Sequence, residues 1–213
     1  MYKIVFFDLD GTLTDSGTGI MNSVAYALKK FGIEEWDETK LRKFVGPPLI
    51  GSFRKYYGFS EADARQAVQA YREYCAEKGI GQNEVYPGIE AFLQQVRSSG
   101  RRLVIATAKP EKFARMVLDN FGLTQYFDLL VGASMDETRT KKAEVIAYAL
   151  KKIETQNLAE IVMVGDREDD ILWAIANGLD SIGVLYGYGD QEELQEAGAT
   201  YLAEKVGDIS KFL

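Results

Sequence analysis

The 213-residue chain contains no histidine and a single cysteine, Cys75. Without histidine it has no Ser-His-Asp or Cys-His nucleophile system and no imidazole to ligate a metal. One cysteine excludes an intramolecular disulfide and a multi-cysteine zinc site. A thiol phosphatase would carry an arginine six positions after its cysteine, where this chain has Gly81. Cys75 lies in the helical pattern "AYREYCAEKG" and reads as a packing residue. Long apolar runs are also missing: none approaches the ~20 residues of a membrane span. The apolar run at 4–7 is too short and too soon acidic for a signal peptide, so a cytoplasmic location is expected. Positive charge is in deficit, with 25 Lys and Arg against 32 Asp and Glu and a net charge of -7. That balance argues against a nucleic-acid backbone as partner and for a small soluble metabolite. Any catalysis therefore falls to carboxylates, hydroxyls, lysines and a bound ion.

What is present is a rhythm of short apolar runs and helical patterns. Runs at 3–7, 102–106, 127–131, 161–164 and 181–184 fit buried parallel strands. Helical segments at 89–98, 111–120, 141–153 and 169–177 separate the later ones, with Pro and Gly bounding the first two and Gly178 closing the last. Alternation of this kind predicts an α/β, Rossmann-like core with a mostly parallel sheet. Between the first two strands lie only helical patterns, at 18–31, 36–44, 49–57 and 60–78. Ordinary connections take roughly 2–6 residues, so 15–82 is expected to be an inserted α-helical cap domain and 1–14 with 83–213 the catalytic core. No internal repeats or low-complexity tracts interrupt this plan.

Ligands of such sheets bind outside the carboxyl ends of the strands. The residues just past the strands are Asp8, Asp10 and Thr12, then Thr107, then Lys141 and Lys142, then Asp166, Asp169 and Asp170. In "FFDLDGT" the two aspartates of an extended Asp-x-Asp face the same way and repel, which calls for a cation. Clustered carboxylates suit Mg2+, a hard ion that prefers oxygen ligands and eases the approach of a phosphate to a carboxylate. One carboxylate can then attack phosphorus to give an aspartyl-phosphate, the second can move protons, and the hydroxyl and lysine can neutralise phosphoryl oxygens. A turn at Gly11 would account for Asp8 and Asp10 alone, but for neither Thr107 nor Asp166.

"FDLDGTLTDS", "VIATAKP", the lysine before "AEVI" and "VGDREDDILWA" together resemble the four ordered motifs of the haloacid dehalogenase superfamily. The likeness is to its phosphatases with a helical cap after the first motif, among them phosphoglycolate phosphatases and some bacterial 5'-nucleotidases. It implies a Mg2+-dependent phosphatase acting on a small phosphomonoester of phosphoglycolate or nucleoside 5'-monophosphate type. It further implies Asp8 as nucleophile, Asp10 as acid/base, Thr107 as the second-motif hydroxyl and Lys142, with Lys141 as competitor, as the third-motif lysine. Asp8, the Asp10 backbone carbonyl and Asp166 would touch the metal, with Asp170 in support and Asp169 less firmly placed. The implied cap would close over the substrate. "FVGPPL" resembles a cap loop of the same group, which makes Arg42, Lys43 and Arg54 substrate-contact candidates. Tyr56, Tyr57, Tyr71 and Tyr74 read as packing, and "GYGD" from Gly187 as a loop. A sugar phosphomutase and a non-catalytic metabolite-binding protein on this scaffold are the rival readings.

Overall fold

The structure, a computed structural model, describes residues 1–136, 138–154 and 157–213. In chain order its elements begin with strands β1 (Ile4–Phe7) and β2 (Thr14–Asp15), followed by helices α1 (Gly17–Lys30), α2 (Glu38–Arg42), α3 (Leu49–Tyr57) and α4 (Glu61–Tyr74). Strand β3 (Glu84–Val85), α5 (Ile89–Ser98), β4 (Arg102–Pro110), α6 (Glu111–Asn120), β5 (Leu129–Ala133) and α7 (Lys142–Ile153) come next. The chain finishes with β6 (Ile161–Gly165), α8 (Glu168–Ala176), β7 (Asp180–Val184), α9 (Gln191–Glu196) and β8 (Tyr201–Ala203). It divides into two compact units, Met1–Asp15 with Val85–Leu213, and Ser16–Glu84.

The first unit is built on a six-stranded sheet in the order β5-β4-β1-β6-β7-β8. Every neighbouring pair is parallel. β1 lies inside the sheet, with Ile4 opposite Arg102 and Ile161, and Phe7 opposite Ile105 and Val164. Both faces of β1 are covered, which is why it reads as a continuous apolar run rather than an alternating one. Phe6 packs in a cluster with Val104, Val131, Val145, Ile146 and Met163. On the opposite face the Phe7 ring meets Phe92 and Phe127 edge-on, each at 6.1 Å. Parallel pairing puts every carboxyl strand end on one edge, where the motif residues follow.

Several boundaries differ from the sequence reading. β4 runs on to Pro110, with a break in register against β5 between Ala106 and Pro110. β5 starts later than 127 because Thr124–Tyr126 winds a tight 3-10 turn first. The edge strand β8 has three residues, too few to show a pattern.

The second unit is helical. α2 is shorter than the expected 36–44 because Asp37 caps it, its carboxylate accepting from the Thr39 N–H at 2.9 Å. α4 gives way after Tyr74 to a wider π turn at Cys75–Gly79. There the backbones approach so closely that a Cβ on Gly19 would strike the Gly79 carbonyl. The aromatics pack among themselves: Phe44 against Phe53, Tyr56 and Tyr57, and Tyr26 against Tyr74. Cys75 and Tyr71 are buried, in keeping with packing roles.

Candidate active site

Asp8 directly follows β1, and its N–H donates to the Val164 carbonyl at 2.9 Å, carrying the ladder one residue further. Lys142 opens α7 and is buried, with Nζ 2.7 Å from Asp8 Oδ1 and 2.6 Å from Asp170 Oδ1. The other Asp170 oxygen accepts the N–H groups of Asp166 and Arg167, both at 3.1 Å, so this carboxylate also fixes the turn entering α8. Asp166 is fully buried after β6. Its Oδ1 accepts from the Thr12 hydroxyl at 2.9 Å and its Oδ2 from the Tyr188 N–H at 2.9 Å. One oxygen from each of Asp8, Asp166 and Asp170 lies within 4.8 Å of the others.

Three carboxylates thus crowd together, two of them paired to one ammonium. Burial, with repulsion from Asp170 and Asp8, pushes the Asp166 carboxyl well above the usual carboxylate range. Burial raises Asp170 to about 6, with Lys142 pulling it down and Asp8 pushing it up. For Lys142 burial alone would lower the value, but Asp170 and Asp8 outweigh it and the ammonium is held above its ordinary range. The buried Asp8 Oδ1 makes no aligned hydrogen bond; its short contact with Lys142 is an ion pair without hydrogen-bond direction. A buried oxygen met only by an ammonium, beside two carboxyls whose protons are held by burial, is a donor set that a hard divalent cation fits. Gly11 and Gly187 keep the space open. Gly11 has φ +86°, and a Cβ on either residue would collide with the Asp166 side chain.

Asp10 does not join this cluster through its side chain. Its two oxygens accept from Lys109 Nζ at 3.0 and 2.8 Å. Thr107 is buried, with Oγ1 accepting the Lys109 N–H at 3.2 Å. Lys141 is exposed at the start of α7, whereas Lys142 turns inward. Asp169 lies away from the cluster and accepts from Trp173 Nε1 at 3.2 Å. Arg42, Lys43 and Arg54 are exposed on the helical unit. Two contributors escape a reading by strand ends. Lys109 stands in the quoted "VIATAKP", and its position just beyond the hydroxyl was the available signal. The loop after β7 wraps the fourth motif: Tyr188 N–H reaches the Asp166 carboxylate, and Gly189 N–H reaches its carbonyl at 3.1 Å.

A parallel sheet whose strand ends gather carboxylates, a hydroxyl and lysines, without histidine or cysteine, fits the class of phosphoric monoester hydrolases that work through a carboxylate. The family model described as "Haloacid dehalogenase-like hydrolase" matches residues 5–184, and the chain belongs to that family. It is 40% identical over 214 aligned positions to a 5'-nucleotidase of Pseudomonas aeruginosa, covering 100% of this chain and 96% of that one. It is 39% identical to the tyrosine-protein kinase PtkA of Mycobacterium tuberculosis, over 93% of this chain and 67% of that protein. Among solved structures, a predicted phosphatase from Clostridium acetobutylicum superposes with a TM-score of 0.94 at 47% identity, covering 100% of this chain and 98% of that one.

Proposed function

We propose that the protein is a Mg2+-dependent phosphatase of the cytoplasm that hydrolyses a small phosphomonoester, of nucleoside 5'-monophosphate type, through an aspartyl-phosphate on Asp8. The observation that carries this reading is the buried group of Asp8, Lys142, Asp166 and Asp170 beside a separately held Asp10. The 5'-nucleotidase relative supports the choice of ester. The helical unit Ser16–Glu84 is proposed as a cap domain.

An Asp8 oxygen attacks phosphorus as the bond to the ester oxygen breaks. The departing oxygen keeps the electron pair and takes the proton carried by Asp10. Lys142 and Thr107 hydrogen-bond the phosphoryl oxygens, across which negative charge spreads during transfer. Water then attacks phosphorus of the aspartyl-phosphate, Asp10 accepts the water's proton, and the Asp8 carboxylate is restored as phosphate forms. Asp8, Asp166, the Asp10 backbone carbonyl and, in support, Asp170 would hold Mg2+, whose charge lowers the cost of bringing an anionic ester to a carboxylate.

Release of inorganic phosphate across a panel of metabolite phosphates, with Mg2+ and with EDTA, tests the reading. Turnover of a nucleoside 5'-monophosphate, lost in EDTA, is expected. Preference for 2-phosphoglycolate would move the substrate assignment. A requirement for a bisphosphorylated activator without net phosphate release would identify a mutase, and complete inactivity with tight metabolite binding a non-catalytic protein. ATP with a tyrosine peptide belongs in the panel because of the kinase-named relative.

A further inference from the structure

Lys109 has no role in the chemistry above, yet it is almost wholly enclosed. Its side chain is 8% exposed and that of Asp10 is 16% exposed. The ammonium meets both oxygens of Asp10, at 3.0 and 2.8 Å, across 99 residues of sequence. Its backbone N–H is tied to Thr107 Oγ1, and it lies in the part of β4 where the register against β5 breaks. Lys142 cannot share this work, since it is engaged by Asp8 and Asp170. An aspartate carboxylate on its own swings about two side-chain torsions. A proton carrier delivers rate only when held within hydrogen-bond reach of the oxygen it serves.

We propose that Lys109 is a positioning residue for proton transfer: it holds the Asp10 carboxyl group in place, and when Asp10 takes up a proton one oxygen keeps the lysine hydrogen bond while the other carries the proton to the ester oxygen of the substrate. The irregular end of β4 brings the second-motif hydroxyl and this lysine out together. One short turn thereby orients both the phosphoryl group, through Thr107, and the proton carrier, through Lys109. The inference rests on the assignment of Asp10 as acid/base.

Leaving-group dependence tests it. p-Nitrophenolate departs without a proton, whereas the alkoxide of a nucleoside 5'-monophosphate needs one. kcat/KM reports the steps up to formation of the aspartyl-phosphate, before Asp10 acts as base. Lys109→Met should lower kcat/KM for the nucleotide by about 100-fold, at the lower end of general-acid contributions, and for p-nitrophenyl phosphate by only a few-fold. Lys109→Arg, which keeps the charge, should recover part of the nucleotide rate and provides a second variant should the methionine protein not fold. Asp10→Asn is the control and should show the same selectivity. If Asp10→Asn is selective but both Lys109 variants slow the two esters equally, Lys109 only binds phosphate or braces the fold, and the inference is overturned. If Asp10→Asn itself is unselective, the acid/base assignment fails and the inference falls with it.

Discussion

Lys142 has a structural part in the fold and, in the proposed mechanism, a functional one. It is buried between Asp8 and Asp170, and removing its charge would leave buried carboxylates facing one another. Lys142→Met should cost about 3–5 kcal/mol, as for a buried pair that loses one partner, read as a lower midpoint in urea denaturation, and it should abolish phosphatase activity. The neighbouring acids make a second prediction, with its sign fixed by their shifts. Asp170 binds its proton more tightly in the folded protein, at about 6, than in the unfolded chain, at 3.8. Raising the pH through that window therefore removes stability from metal-free protein. Asp166 is shifted the same way and adds to the loss. The raised Lys142 value adds stability that is fully present below the unfolded lysine value of 10.5, so it does not alter this window. A divalent ion binds the deprotonated acids, so Mg2+ should raise Tm more at pH 7.5 than at pH 5 relative to EDTA. An equal gain at both would contradict this picture of the acids. Asp8 and Asp166 were legible as residue types just beyond strands, and Thr107 and Lys142 as a hydroxyl and an ammonium near the ends of the apolar runs. Lys109 and Tyr188 were not, because what marks them is a tertiary contact: Lys109 with Asp10, and the Tyr188 N–H with Asp166. A backbone donor has no signature in the amino-acid alphabet.

At the level of elements, strands buried on both faces were the readable ones, since β1 and β6 carry no polar side chain between turn residues. β8 was not legible: three residues at a sheet edge lack the length for a pattern. The continuation of β4 past Thr107 was equally hidden, because "AKP" looks like a strand ending and only its partner strand draws it on. The loop after β7 is the element whose importance the fold alone discloses. Besides its two N–H donors, the following α9 supplies Glu193, whose carboxylate accepts from Arg167 Nε at 2.7 Å and from the Glu168 N–H at 2.9 Å. Residues that follow Gly187 therefore hold the turn that carries Asp166. A methyl group on Gly187 would collide with the Asp166 side chain and the Gly11 carbonyl. Gly187→Ala should weaken divalent-ion binding by about 10-fold or more, the scale of lost support around a metal ligand, as measured by calorimetric titration. Unchanged affinity would mean that the loop yields without disturbing Asp166.

Across the whole molecule, the absences that open the sequence and the site that the fold assembles have one explanation. A chain with no histidine can still perform nucleophilic catalysis if a parallel sheet brings carboxylates from distant segments to one edge, and if buried cations keep them in place. The sheet does this with Asp8, Asp166 and Asp170, and with Lys142 and Lys109 as the ammonium groups beside the aspartates. Among the described residues no helix is long and apolar enough to cross a membrane. Membership of the haloacid dehalogenase-like hydrolase family rests on residues 5–184, a span that includes all of these side chains. The central claim is that Asp8 becomes phosphorylated during turnover, and the most direct measurement is mass spectrometry of enzyme quenched in acid while hydrolysing a nucleoside 5'-monophosphate. A phosphoryl group on the peptide that carries Asp8, present with Mg2+ and absent both in EDTA and in Asp8→Asn, is the predicted result. Rapid phosphate release with that peptide unmodified, or wild-type turnover by Asp8→Asn, would contradict it.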